Sequence, residues 1–145
     1  MSAENTVNPP KWLMIVAGLA LIWNLLGVMA FAMQAMMSPE EIGLLSQAEQ
    51  DMHAATPLWV LIAFGSGVFG GTFGSIGLLM RKAFAMPLFV ISLIGVLVQM
   101  YHSFFIIKSY EVYGPGSTVM PIMVILIAFA LVWLSSKAKK SGWIS

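Results

Sequence analysis

Four stretches of this chain contain no Asp, Glu, Lys or Arg, and short polar segments separate them. They are "WLMIVAGLALIWNLLGVMAFAMQAMM" (12–37), "LWVLIAFGSGVFGGTFGSIGLLM" (58–80), "FAMPLFVISLIGVLVQMYHSFFII" (84–107) and "VMPIMVILIAFALVWLSS" (119–136). About 20 such residues cross the hydrocarbon core of a bilayer as a helix. A helix satisfies its own backbone groups in lipid, which an open strand cannot do. The pattern therefore predicts an all-α membrane protein: four transmembrane helices in an antiparallel up-and-down bundle, forming a single domain over 1–145. Ala30-Phe31-Ala32 resembles a signal-peptide cleavage site, but the first run exceeds the roughly 7–15 residues of a signal core and reads as a span.

The segments between the runs predict orientation. Ser38 to Pro57 holds Glu40, Glu41, Glu49 and Asp51 with no basic residue. Arg81 and Lys82 lie between the second and third runs, and Lys137, Lys139 and Lys140 follow the fourth. Basic residues favour the cytoplasmic side, so both termini are expected inside and the first and third loops outside. Lys11 agrees, and Trp12, Trp59 and Trp133 fall near span ends, where interfacial aromatics belong. Within the acidic loop, "SPEE" offers Ser38 as N-cap, Pro39 at the first helical position and Glu41 three residues on. It predicts a short amphipathic helix over about 39–52, lying on the membrane or acting as a lid or docking surface. Thr56-Pro57 reads as N-cap plus first-turn proline for the second span. Pro87 and Pro121 sit near the entrances of the third and fourth, where proline costs no helical hydrogen bond.

Composition supports the membrane reading and excludes several functions. Hydrophobic residues make up 59% of the chain and charged residues 9%, against about 25% charged in a soluble domain. The net charge of +1 gives no argument for nucleic acid as a partner. The absence of cysteine removes disulfides, thiolate nucleophiles and Cys-based metal centres. The two histidines, His53 and His102, stand on separate segments and do not make a metal-ligand set. Only one of them is intramembrane, so haem is not expected. The spans hold no acid to complete a Ser/His/Asp arrangement. No catalytic residue, cofactor or resident metal is expected, and the chain does not read as an enzyme. Met29, Met33, Met36 and Met37 cluster at one end of the first span. They spread around the helix and read as gap-filling side chains rather than a soft-metal path.

The second span holds "GSGVFG", which matches the dinucleotide pattern G-x-G-x-x-G. That pattern needs a preceding strand and an acid about 20 residues on. Here no acid occurs between Asp51 and Glu111, and the glycines sit in mid-span. On a helix, Ala63, Gly67, Gly70, Gly74 and Gly77 form one stripe, flanked by Gly71 and Ser75. Such small-residue faces let membrane helices approach closely. The partner is another helix of this chain or the same helix in a second copy. Phe69, Phe73 and Ile76 occupy the opposite side.

Polar groups in hydrocarbon are costly and usually face the bundle or a wet cavity. Ser92, Gly95, Gln99, His102, Ser103 and Ile106 share a stripe of the third span. Asn24 lies near the middle of the first span and Gln34 near its outer end. Two readings fit. In one, Asn24 and Gln99 hydrogen-bond across helices and hold the bundle in register. In the other, Asn24, Gln34, Gln99, Tyr101 and His102 line an outward-facing pocket suited to an uncharged, hydroxyl-rich solute. His102, near the outer interface, is either a hydrated residue with a satisfied ring or a proton-handling group.

Four segments, "WNLLGVMAFAMQAMMSPEEI", "FGGTFGSIGLLMRK", "PLFVISLIGVLVQMYHSFF" and "YGPGSTVMPIMV", resemble a group of small four-span bacterial inner-membrane proteins commonly labelled "sugar transporter". The resemblance spans nearly the whole chain. It implies a multi-pass protein of the bacterial inner membrane and a sugar-like solute, but brings no binding motif to particular residues. Small multidrug-resistance transporters are similar in span count. Their first-helix glutamate has no counterpart here, since this first span carries Asn24 and no acid. Two classes of function follow. One is a carrier or channel component for an uncharged polar solute. The other is a non-catalytic accessory or scaffold protein that docks a partner through its glycine face or acidic outer loop. The partners expected are the lipid bilayer, a small neutral solute and, for a carrier, further copies of the chain, because four helices enclose little space.

Overall fold

The computed structural model describes residues 8–145; residues 1–7 of the expected domain lie outside the described segment. Its helices are α1 (Lys11–Ala35), α2 (Pro39–Gly43), α3 (Gln47–Ala54), α4 (Leu58–Leu79), α5 (Ala85–Tyr101), α6 (Ser109–Tyr113) and α7 (Val119–Lys140). A π turn, His102–Ile106, extends α5, and a 3-10 turn, Pro115–Thr118, leads into α7. No strand occurs among the described residues. Four segments are long and apolar enough to cross a membrane: Lys11–Ala35, Leu58–Leu79, Ala85–Ile106 and Gly116–Lys140. The chain is an all-α, multi-pass membrane protein built as a four-helix bundle.

The bundle is organised around α4. Of its apolar window 56% is buried, against 17–28% for the other three spans. It packs on α5 most extensively and on α1 next, while α7 packs on α5. The spatial order is thus α1, α4, α5, α7, with α1 and α7 as the flanking pair. The close contact with α5 rests on small residues. A Cβ added at Gly95 would lie 2.6 Å from the Ala63 carbonyl oxygen and 2.8 Å from the Gly67 nitrogen. At Gly70 it would lie 3.0 Å from the Leu88 carbonyl, and at Gly74 it would meet the Phe89 ring at 2.9 Å. Gly77 takes Phe84, and Gly67 takes Val96. Gly71 faces the other way, where a Cβ would overlap the Asn24 amide of α1. Gly27 of α1 receives Val68, and Gly65 receives Phe31. The stripe is therefore covered within the chain, by α5 on one side and α1 on the other.

The end of the bundle that carries the termini is closed. Leu13, Ala17 and Ala20 of α1, Leu78, Ala85, Phe89, and Leu131, Leu134 and Ala138 of α7 form one apolar cluster with Ile144. Trp12 meets Trp143 edge-to-face at 5.7 Å. Both helices that finish here use the same stop. Arg81 (φ 59°) follows α4 and Gly142 (φ 78°) follows α7. Lys82 N–H then donates to Gly77 O at 2.8 Å and Trp143 N–H to Ala138 O at 2.9 Å, the long bond of a left-handed helix cap. Ser145 clips onto the α4–α5 turn through Ala83 N–H to Ser145 O and Ser145 N–H to Arg81 O.

At the opposite end, short elements replace the expected loop structure. The helix predicted over about 39–52 is two helices. Ser38 and Glu41 cap α2 reciprocally, as the sequence suggests. A second box, Ser46 and Glu49, restarts the chain as α3. The motif S-Q-A-E carries that second start, and it breaks the single helix at Leu44–Ser46. Thr56 does not cap α4. Its hydroxyl donates back to Met52 O at 2.8 Å, and Pro57 occupies the cap position. In the third loop, Lys108 (φ 49°) and Gly114 (φ 94°) bracket α6.

Substitution at Gly95 should be the most damaging of the glycine-to-alanine changes, because its Cβ meets backbone that cannot rotate away. Gly95→Ala is expected to lower unfolding stability in detergent by about 1–3 kcal/mol. Gly18→Ala, where nothing lies within 4 Å of the new Cβ, should be neutral or stabilising by up to about 1 kcal/mol from helix propensity. Equal effects at the two sites in a thermal-unfolding assay would refute the close-packing account.

Candidate functional site

The same face of α5 that closes against α4 at Ser92 and Gly95 opens one turn later, at Gln99. Two cavities meet there. The inner chamber, about 370 Å³, lies between all four spans. Its walls include Trp23, Asn24 and Gly27 of α1, Phe64 and Val68 of α4, Ser92 and Val96 of α5, and Val124, Ala128 and Leu131 of α7. The outer vestibule, about 570 Å³, is roofed by the short helices and lined by Gln34, Glu49, His53, Thr56, His102, Ser103, Ser109, Tyr113 and Ser117, among others. Gln99 lines both. Both volumes fall in the roughly 300–1,000 Å³ of small-molecule sites.

The polar groups of the chamber are few and mostly occupied. Asn24 Nδ2–H donates to Ala20 O of its own helix at 2.8 Å, so it does not bridge helices. The side-chain bond between α4 and α5 comes from Ser92, whose hydroxyl donates to Gly67 O at 2.6 Å. Thr72 and Ser75 donate to carbonyls one turn back in α4, at Val68 and Gly71. The Gln99 amide makes no hydrogen bond to protein among the described residues. Its donors and acceptor are left to whatever occupies the two cavities. The rest of the lining is mainly apolar, and no acidic or basic side chain among the described residues lines it.

The vestibule is built by a local irregularity. From His102 the helix widens, and Ile107 N–H bonds to His102 O at 3.0 Å, five residues back. Such π turns re-aim side chains. His102 is only 3% exposed and meets Trp59 of α4 edge-to-face at 5.5 Å. The Ser103 and Ser109 hydroxyls lie 2.7 Å apart, pinning α6 to the end of α5. Tyr113 of α6 reaches toward Glu49 of α3. Partial burial, and then the neighbouring Glu49 carboxylate, push the phenol above its ordinary pKa, so it stays protonated and able to donate to that carboxylate. The roof is thus tied together from the α1–α4 and α5–α7 connections.

Four of the five residues expected to share a pocket do line the cavities: Asn24 the chamber, Gln34 and His102 the vestibule, and Gln99 their junction. Tyr101 lines neither. It is 57% exposed on the outer surface of α5, tilted against Phe105 at 5.4 Å. One residue's turn from His102 on a helix is about 100°, enough to carry Tyr101 out of the bundle. The contribution of α7 has no distinct sequence signal, since Ala128, which lines the chamber, is one of several small residues in that helix. The vestibule residues Glu49 and Tyr113 depend on long-range folding of two loops. Among the described residues, no group of His, Asp or Glu is placed to hold a metal ion. No known protein family, curated protein or solved structure matches this chain, and the functional reading rests on the geometry.

Because the chain has no cysteine, single cysteines report water access directly. Ser109→Cys and Ser117→Cys in the vestibule are expected to react quickly with a water-soluble maleimide, and Gln99→Cys more slowly. Ser135→Cys, which replaces a fully buried hydroxyl, should stay unlabelled in the folded protein. Labelling of Ser135→Cys at the vestibule rate would contradict the closed end.

Proposed function

We propose that this chain is a carrier or channel component that takes an uncharged polar solute from the loop side of a membrane. The observation that supports this most directly is the junction at Gln99. An unpartnered amide stands between a hydroxyl-lined vestibule and an interior chamber. An amide offers two donors and one acceptor without charge, which suits hydroxyl groups. Among the described residues the lining carries Glu49 but no Lys or Arg, and this disfavours an anionic solute. The basic residues flanking the spans favour cytoplasmic termini and an outward vestibule, which supports an inner-membrane location. The "sugar transporter" resemblance agrees with this solute class.

The scaffold reading has less support. Gly67, Gly70, Gly74 and Gly77 already lie against α5, so a partner docking through them would have to displace it. The acidic outer helices remain for that role.

The test is thermal unfolding of purified protein in detergent against sugars, polyols and their neutral acyl esters. A ligand at about 100 times its Kd stabilises the folded state by about 2.7 kcal/mol. One solute class should raise the unfolding temperature of the native chain and fail to do so for Gln99→Leu, with Tyr101→Ala behaving like the native chain. No shift with any neutral solute would overturn the carrier reading.

A further inference from the structure

The inner chamber is chemically unlike the vestibule that leads to it. Asn24 spends one amide hydrogen, and Ser92 its hydroxyl hydrogen, on backbone carbonyls. What remains is a surface of Trp23, Phe64, Val68, Val96, Val124, Leu131 and their neighbours. A free sugar placed there would lose its hydration and recover few partners, Gln99 and the remaining positions of the Asn24 amide. Burying a hydroxyl without a hydrogen bond costs roughly 1–3 kcal/mol, so several together exclude it. A hydrocarbon chain loses nothing in the same space.

The chamber also has a side opening. Where α1 and α7 flank it they do not pack as the other neighbours do. Its rim includes Leu26, 56% exposed, and Met120, 57% exposed. Both belong to membrane-spanning segments, so the opening gives onto lipid. A ligand spanning both cavities would be polar at the vestibule, apolar in the chamber, and able to come and go from the bilayer.

We infer that the native ligand is a membrane amphiphile with an uncharged, hydroxyl-bearing head, its head at Gln99 and the vestibule and its tail in the chamber between α1 and α7. This rests on the proposed function in one respect, that the Gln99 junction recognises a neutral hydroxylated group. It adds that the tail supplies the apolar contact. The head is uncharged because, among the described residues, no charged side chain lines the chamber, and because the vestibule's Glu49 carboxylate takes up the Tyr113 hydroxyl and repels an anionic head.

The experiment uses the full chain in lipid nanodiscs with a photoactivatable monolaurin carrying its reactive group in the acyl tail. Labelled residues are mapped, and unlabelled monolaurin, glycerol, laurate and dodecyltrimethylammonium serve as competitors. Labelling should concentrate on chamber residues such as Val96, Val124 and Ala128 rather than on the lipid-facing Ile22 and Leu126. Monolaurin should compete, and glycerol should not. Ala128→Phe, which fills the chamber, should cut chamber labelling about tenfold, a loss of about 1.4 kcal/mol in binding. Gln99→Leu should abolish the advantage of monolaurin over laurate. Ala128→Phe is checked for folding by its unfolding temperature; Ala128→Val is the smaller substitution if it fails.

Even labelling of every lipid-facing residue would overturn the inference. So would equal competition by laurate or the ammonium amphiphile, since the head would then not be read as neutral. Sugar or glycerol binding that persists in Ala128→Phe, without chamber labelling, would overturn it while leaving the solute-carrier reading standing. If Ala128→Phe instead dissociates a dimer and monolaurin never labels the chamber, a second copy fills the opening and the inference falls.

Discussion

The architecture depends on a contact between two backbones. Gly95 of α5 sits against the Ala63 carbonyl and the Gly67 nitrogen of α4, and Ser92 donates to the Gly67 carbonyl three residues earlier. In lipid there is no hydrophobic gain from bringing two apolar helices together, so association relies on dispersion and interhelical hydrogen bonds. Both grow steeply as the axes approach, and both need the side chains between them to be absent or small. The Ser92 bond is made to a carbonyl that is already the acceptor of its own helix, using the second lone pair. Such bonds contribute about 0.6–2 kcal/mol in membranes. It is accessible to Ser92 only because Gly67 leaves the carbonyl uncovered.

That contact explains where the cavity begins. Along the inner face of α5 the side chains run Phe89, Ser92, Gly95, Gln99, His102. Up to Gly95 the face is held against α4. At Gln99 the side chain lengthens and lines both cavities. At the π turn that follows, the His102 imidazole is buried edge-to-face against Trp59. The two ends of the bundle are consequently unlike. Large apolar groups and two left-handed helix caps seal the end with the termini, whereas small capped helices only roof the other.

The transmembrane plan was readable because it depends on local composition: spans of apolar residues announce themselves, and observed boundaries lie within a few residues of the apolar runs. The covering of the glycine stripe by α5 on one side and α1 on the other was not readable, because period alone does not say which helix faces which. Nor was the failure of Asn24 to bridge helices. An intrahelical bond to Ala20 and an interhelical bond are equally available to an amide in a sequence, and Gly71 decides by admitting the amide edge-on against α4. Tyr101 was misplaced for a related reason. It stands between two inward-facing neighbours in the polar group Gln99 to Ser103, and its own hydroxyl made it look like a member. The second capping box at Ser46 was readable in principle, since S-Q-A-E carries the same signal as S-P-E-E. Its consequence, a roof joined to α6 through Glu49 and Tyr113, depends on contacts between loops far apart in the chain.

The asymmetry of the bundle bears on how any ligand would move. A route from the vestibule through to the terminus side would have to displace Leu13, Phe89, Leu131, Leu134 and Ile144, which fill that end. It would also have to break the clip between Ser145 and the α4–α5 turn. A packed interior of this kind does not deform gradually; it repacks between discrete states. The α1–α7 side needs no such repacking, because the two helices are already apart at the level of the chamber. Of the two exits from the Gln99 junction, the lateral one costs less. A ligand that must leave sideways into lipid has to carry an apolar part, and a chamber lined by valine, leucine and tryptophan is the surface that part requires.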